Sequence, residues 1–356
     1  VTSIRPASRR QVLGLGALGS ASLLLAACTT GSQESRESAG AAASDGGSAQ
    51  GFPRTIEHVY GETTLEAQPE RVATVSWVNH DVCVALGVVP VGIPETSYGG
   101  NANKSTDWFD AALEDLGGEK PTMYAETDGP NFTEIAALQP DVILAVYSGI
   151  TQEQYDQLAK IAPTIAYPKD AVAYGTSWQD STTIIGQVLG LEDVAAGVIE
   201  DVDATLADFA AEHPELKDTT FLYGTIDPAS DPQISLYTDV DNRPRLLEQL
   251  GMKQAPVVTA NQTDDQAFYI TWSPEQADQL EADVLVTWAE SEDLAAALKA
   301  DPLLSKIPAV AADALVLQTD AQQVLSVSAA SALSLPWAVD NTLPAIAETA
   351  KKATGQ

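Results

Sequence analysis

The chain has 356 residues, 45% of them apolar, and sets 50 Asp and Glu against 18 Lys and Arg for a net charge of −32. That length is ample for two hydrophobic cores. A charge of this sign repels polyphosphate and excludes nucleic acid as a partner, and it suits a solvated protein whose ligand is neutral or cationic.

Residues 1–27 read as an export leader. Ser8-Arg9-Arg10 precedes an apolar and small-residue run from Val12 to Ala27, and the paired arginines point to the twin-arginine route. The run is short for a membrane span. Leu25-Ala26-Ala27-Cys28 matches the cleavage box of bacterial lipoproteins, in which the cysteine thiol takes a diacylglycerol and becomes the new N-terminus. Cys28 is thereby assigned to lipidation, and the protein to the outer face of the cell membrane. Cys83, in an apolar run, is left as a buried inert thiol with no disulfide partner. Residues 28–53 form a linker in which TTGSQESRESAGAAASDGGSAQ has no large apolar group. A flexible tether of that length spans roughly 25 Å root-mean-square.

Residues 54–190 read as a first α/β lobe. IEHVYGETTLE (56–66) alternates about Gly61 as a hairpin. Strands follow at Val72–Ser76, Val88–Ile93, Val142–Tyr147 and Thr164–Tyr167. Helical stretches lie near Asp81–Leu86, Asp107–Leu116, Thr133–Leu138 and Gln152–Ile161. Residues 191–213 then form one long helix. Leu191, Val194, Val198, Val202, Leu206 and Phe209 line one face at steps of three and four, with acids on the other. Gly190 closes the helix before it and Pro214 forces the chain out of α geometry. Residues 214–356 restart the alternation. Strands are predicted at Thr220–Thr225, Ile234–Thr238, Val284–Trp288 and Leu315–Gln318, and helices at Arg245–Gly251, Pro274–Leu280 and Asp293–Ala300. A last helix runs from about Pro336 to Lys351. ALQPDVIL (137–144) and QLEADVLV (279–286) each carry a helix end into a buried strand, so both lobes follow one plan. The fold class is α/β: two doubly wound, mainly parallel sheets joined by a rigid helical spine of roughly 30 Å.

The chain lacks a G-x-S-x-G elbow, a Walker loop, a G-x-G-x-x-G turn and a zinc-type Cys/His cluster, and no catalytic pairing of carboxylates is indicated. The reading is therefore a binding protein, not an enzyme, with no cofactor. His58 and His80 leave open a transition-metal site if they meet in space. Aromatic placement is more informative. Trp77, Tyr147, Tyr167 and Trp288 fall at or beyond C-terminal strand ends, and Tyr237 one residue before its own. Tyr98, Tyr124, Trp178, Tyr223, Tyr269 and Trp272 lie in or beside connecting segments. Open α/β sheets bind ligands at those ends, although any single ring there is as well explained by core packing. Arg243 and Arg245 follow the second strand of the second lobe, where a guanidinium can hydrogen-bond ligand oxygens or pair with a surface acid.

IEHVYGETTLEAQPERVATVSW, ALGVVPVGIP, NFTEIAALQPDVILAVYSG, IAPTIAYP and SALSLPWAVD, set in an exported lipoprotein with two lobes on one helix, resemble the iron–siderophore substrate-binding proteins of ABC importers. The likeness covers 54–350. It implies capture of a ferric chelate between the lobes, small hinge changes, and delivery to a membrane permease by a monomer. Trp77, Tyr98, Tyr124, Tyr147, Trp178, Tyr223, Tyr237 and Trp288 would then pack the chelate, and Arg243 with Arg245 would contact its iron-ligating oxygens, leaving the protein no metal ligand of its own. Members of this family dock through one surface glutamate per lobe. Glu275 matches that position in the second lobe, whereas Thr133 occupies it in the first and Glu134 follows one residue later, turned by about 100°. Haem, cobalamin or a metal ion on the same scaffold, and a lipoprotein hydrolase, are the alternatives. Scarce arginine in so acidic a chain favours a neutral or cationic hydroxamate chelate over a trianionic tri-catecholate.

Overall fold

The computed structural model describes residues 51–228 and 233–355. The leader, Cys28 and most of the linker lie outside the described residues. The first lobe opens with β1 (Arg54–His58) and β2 (Gly61–Leu65), antiparallel with Ile56 opposite Thr63 and His58 opposite Gly61. Alternation buries Ile56, His58, Thr63 and Leu65 on one face. Then β3 (Val72–Thr74), α1 (Asn79–Ala85), β4 (Gly92–Pro94), α2 (Asp107–Leu116), β5 (Thr122–Tyr124), α3 (Phe132–Ala137), β6 (Val142–Leu144), α4 (Gln152–Leu158) and β7 (Thr164–Ile165) alternate. All five sheet strands are parallel, in the order β5-β4-β3-β6-β7. The chain order reverses between β3 and β6, so the crevice beyond their C-terminal ends is where a ligand site is expected.

Helix α5 (Trp178–Leu189) leads into the spine, α6 (Glu192–Glu212), across a two-residue corner at Gly190, whose φ is +69°. A Cβ on Gly186 would lie 2.5 Å from that of Ala195, so the close α5–α6 crossing requires glycine there. That contact turns the start of the spine. Ala195 faces inward, and Val194, predicted on the buried stripe, is 45% exposed. From Val198 through Val202, Leu206 and Phe209 the stripe runs as expected. Ala195 belongs to the first-lobe core, Val202, Leu206 and Phe209 to the second, and Val198 packs against both.

The second lobe comprises β8 (Thr220–Ile226), β9 (Ile234–Tyr237), α7 (Asn242–Gln249), β10 (Lys253–Gln254), α8 (Pro256–Asn261), β11 (Tyr269–Trp272), β12 (Val284–Trp288), α9 (Asp293–Ala300), α10 (Pro308–Ala311), β13 (Leu315–Gln318), α11 (Ala321–Ser328), α12 (Ser334–Asn341) and α13 (Leu343–Thr354). Its sheet, β11-β9-β8-β12-β13 with β10 beside β8, is mixed, because β9 runs antiparallel to both its neighbours. Residues Pro274–Gln279 form a 3₁₀ helix in place of the expected α-helix. The expected terminal helix is two, because Pro344 has no N–H to continue α12 and starts α13 instead.

The lobes also meet along a buried seam. Ile93, Trp108, Phe109 and Tyr147 of the first pack with Leu325 and Ala329 of the second. Within it, buried Asp81 accepts from Trp108 Nε1 at 2.8 Å and from Ser331 Oγ, across the seam, at 2.7 Å. Burial pushes the Asp81 carboxyl up and the neighbouring His80 ring down.

Candidate ligand cleft

Three residues after β3 set up the first-lobe wall. Ser76 and Val78 are both left-handed, with φ of 62° and 55°, and Trp77 between them is 48% exposed. A β-branched residue in that region costs on the order of 1 kcal/mol or more, so the turn persists only because its surroundings hold it. Asn79 supplies much of the hold. Fully buried, it donates from Nδ2 to the carbonyl oxygens of Val75 (2.8 Å), Trp77 (3.0 Å) and Tyr147 (3.1 Å), and its Oδ1 accepts from Tyr147 N at 3.0 Å. One side chain thus stitches together the ends of β3 and β6, at the switch point. Glu126 takes the Ser76 N–H on Oε2 at 2.8 Å, and its other oxygen is shielded and lacks a hydrogen-bond partner. Burial lifts the Glu126 carboxyl to about 7, against the Ser76 N–H that favours its charged form.

Tyr174, 42% exposed, stands 6.1 Å from the Trp77 ring and 6.0 Å from Tyr147, centroid to centroid. Its ring lies against Gly149, where a Cβ would come within 2.2 Å, so glycine makes room for it. Tyr98, 43% exposed, reaches the second lobe and lies 6.3 Å from Trp288. Burial pushes the Tyr98 hydroxyl up and Arg243 opposes the shift. Tyr147 is buried at the floor, where its hydroxyl donates to Ser328 O at 3.3 Å and accepts from Asn242 Nδ2 at 3.5 Å, both in the second lobe.

The second-lobe wall is built on Arg243. Asp241 caps α7 and grips the guanidinium with both oxygens, at 2.8 Å to Nε and 2.6 Å to Nη2. The guanidinium carbon lies 3.6 Å from the centre of the Tyr237 ring and 5.9 Å from that of Tyr223. Burial works against the Arg243 charge, and Asp241 more than offsets it, holding its pKa above the ordinary arginine value. Tyr237 shares a hydrogen bond with Thr225 Oγ1 at 2.9 Å and accepts one from Trp288 Nε1 at 3.4 Å. Buried Tyr223 donates to Gln318 Oε1 at 2.6 Å.

Trp77, Tyr98, Tyr147, Tyr237, Trp288 and Arg243 therefore converge, with Tyr223 behind Arg243. Tyr223, expected against the chelate, is buried and backs the wall instead, and three further expectations need correction. Tyr124 is a core residue, its ring under the first-lobe sheet beside Gly92 and its hydroxyl donating to Thr74 O, because as the last residue of β5 it points inward. Trp178, first in α5, is buried in the second-lobe core with Val202 and Leu206. Arg245 donates to the main chain at Asp239 O (2.6 Å) and Gly175 O (2.8 Å), and so straps down the loop that bears Tyr174. Tyr174, Asn79, Glu126 and Asp241 escaped the sequence reading. The segment AVAYGTSW after β7 carried the only signal for Tyr174, an aromatic beyond a strand end. The histidines stay apart: His58 lies against Tyr155 and His80 against Phe109, and no group of three or more potential metal ligands occurs among the described residues. Glu134, in the first turn of α3, and Glu275, opening the 3₁₀ helix, are both exposed.

Two α/β lobes on one helix with the cleft between them define a solute-binding protein. Residues 72–320 match the family described as periplasmic binding protein, and the chain belongs to that family, whose members bind substrates and are not enzymes. It is 29% identical over 270 residues to the ferric enterobactin-binding periplasmic protein FepB of Escherichia coli O6:H1, covering 73% of this chain and 81% of that one. PiaA of Streptococcus pneumoniae TIGR4, solved in complex with ferrichrome, superposes with a TM-score of 0.78 at 34% identity, over 84% of this chain and 99% of that one. FeuA of Bacillus subtilis, solved with ferri-bacillibactin, shares the fold with a TM-score of 0.59 at 18% identity, over 85% and 99% of the two chains.

Proposed function

We propose that the protein captures a ferric siderophore of the hydroxamate type in this cleft and hands it to the permease of an ABC importer for iron uptake. The observation that carries the choice of chelate is the Arg243–Asp241 pair. The guanidinium is already met by a bidentate carboxylate, so the cleft has little spare positive charge for a ligand. A ferric tri-catecholate, with about three negative charges, needs several uncompensated cations and would meet the field of a −32 chain. Ferric hydroxamates are neutral or cationic, and their apolar linkers suit exposed Trp77, Tyr98 and Tyr174. Of the three relatives, PiaA with ferrichrome agrees with this reading, whereas FepB, for ferric enterobactin, and FeuA, with the triscatecholate ferri-bacillibactin, do not. Tryptophan-fluorescence titration with ferrichrome, a ferrioxamine and a ferric tri-catecholate at low and high salt tests it. Tighter binding of the tri-catecholate would overturn the hydroxamate assignment.

Delivery requires the protein to stay near the membrane and to meet the permease. We place the lipid on Cys28 and the permease contacts at Glu134 and Glu275. Cys28→Ser should leave the protein unlipidated and released, and Glu275→Ala with Glu134→Ala should lower cellular uptake while chelate affinity holds. A Ser variant that keeps the lipid mass, or a double variant that loses chelate binding in vitro, removes the respective assignment.

A further inference from the structure

We infer that the first-lobe half of the cleft receives a positively charged arm of the bound chelate, so that the preferred ligand is a ferric hydroxamate bearing a protonated amine. This rests on the hydroxamate reading above and narrows it. A cavity of about 710 Å³ opens beyond the C-terminal ends of β3 to β6, walled by Trp77 and Tyr174 together with Glu95, Glu126 and Asp128. No Lys, Arg or His is among the described residues that line it. Glu95 is paired with Lys104 at 2.7 Å, which leaves Glu126 and Asp128 to face the ligand.

Glu126 is the unusual member. Its place is fixed, because Oε2 holds the Ser76 N–H beside Trp77. Oε1 has no hydrogen-bond partner, although an ionised carboxylate can accept several bonds. A shielded carboxylate without a counter-charge is costly in its charged form. An ammonium in the cavity would relieve that cost, and the exposed faces of Trp77 and Tyr174 would add cation–π attraction. A neutral group of the same size would fill the space and relieve nothing. On the facing wall Arg243 stays with Asp241, so an incoming cation meets no free positive charge there.

The test uses two chelates with one iron centre: ferrioxamine B, a linear trihydroxamate ending in an ammonium, and its N-acetylated neutral form. Purified protein is titrated with each, and with ferrichrome, by tryptophan quenching at pH 8. Ferrioxamine B is expected to bind about tenfold more tightly than the acetylated form. In Glu126→Gln, which keeps an oxygen for Ser76 N–H, that ratio should fall to within twofold, through a larger loss for ferrioxamine B than for ferrichrome. Equal binding of the two forms by the unaltered protein overturns the inference and leaves the hydroxamate reading intact. So does a Glu126→Gln variant that retains the full ratio, or one that weakens ferrichrome as much as ferrioxamine B. Failure of all three hydroxamates to bind overturns both.

Discussion

The two walls of the cleft use the same residue types in opposite ways. In the second lobe, Tyr237, Tyr223, Arg243 and Asp241 are packed on one another and their polar ends are satisfied within the wall. In the first, Trp77 stands out between left-handed Ser76 and Val78, Tyr174 is itself left-handed, and a carboxylate beside them has acceptor capacity to spare. The second wall is a finished electrostatic unit and offers shape. The first stores strain and charge that a ligand can settle, so discrimination between ligands is expected to reside there.

Breaking the finished unit should have the largest effect. Asp241→Ala leaves Arg243, whose side chain is only 13% exposed, without its partner and removes the cap of α7. A loss of about 4 kcal/mol is expected in urea denaturation, together with stronger binding of a ferric tri-catecholate by the freed guanidinium. A loss below about 1 kcal/mol would mean that the pair is screened like a surface one.

Glu126 should give the next largest effect, through pH. Its folded-state pKa, about 7, lies above the ordinary 4.5, so the native state holds the proton more tightly than the unfolded chain between those values. Its contribution is therefore complete below about pH 4.5 and is lost as pH rises through 7, a change of about 3 kcal/mol at 1.36 kcal/mol per pH unit. Glu126→Gln should remove that part of the decline, so the gap between variant and parent grows from pH 5 to pH 8. Parallel stability curves would show that Glu126 is ionised throughout.

The smallest pair of effects separates support from contact. Asn79→Ala strands the carbonyls and the N–H that it ties together, and should cost about 2 kcal/mol and weaken chelate binding as the Trp77 turn relaxes. Trp77→Ala should weaken binding about tenfold, or about 1.4 kcal/mol, with a melting temperature close to the parent's, because the ring is half exposed. If Asn79→Ala destabilises the fold but leaves affinity untouched, the turn does not depend on it.

Much of this frame is legible in periodicity. Asp107–Leu116, Val284–Trp288, Asp293–Ala300 and Leu315–Gln318 fall where hydrophobic spacing puts them, and the spine differs by one residue at each end. The cleft is half legible. Rings at strand ends and in connecting segments single out Trp77, Tyr98 and Trp288, but the same rule admits Tyr124 and Trp178, since spacing along a chain does not say which way a ring will face. Asn79 and Glu126 leave no trace of that kind. Their roles arise from a left-handed turn and from a partner 50 residues away, and both exist only in three dimensions.

The division of the α6 stripe, with Val198 packed against both lobes and Trp178 seated in the opposite core, bears on how the molecule melts. Separating the lobes would expose those side chains in either fragment, so each core depends on the other for part of its buried surface. Calorimetry should accordingly show a single transition whose van't Hoff and calorimetric enthalpies agree. A chelate held at the cleft would then raise the midpoint of the whole molecule by mass action, making scanning calorimetry a direct reporter of occupancy.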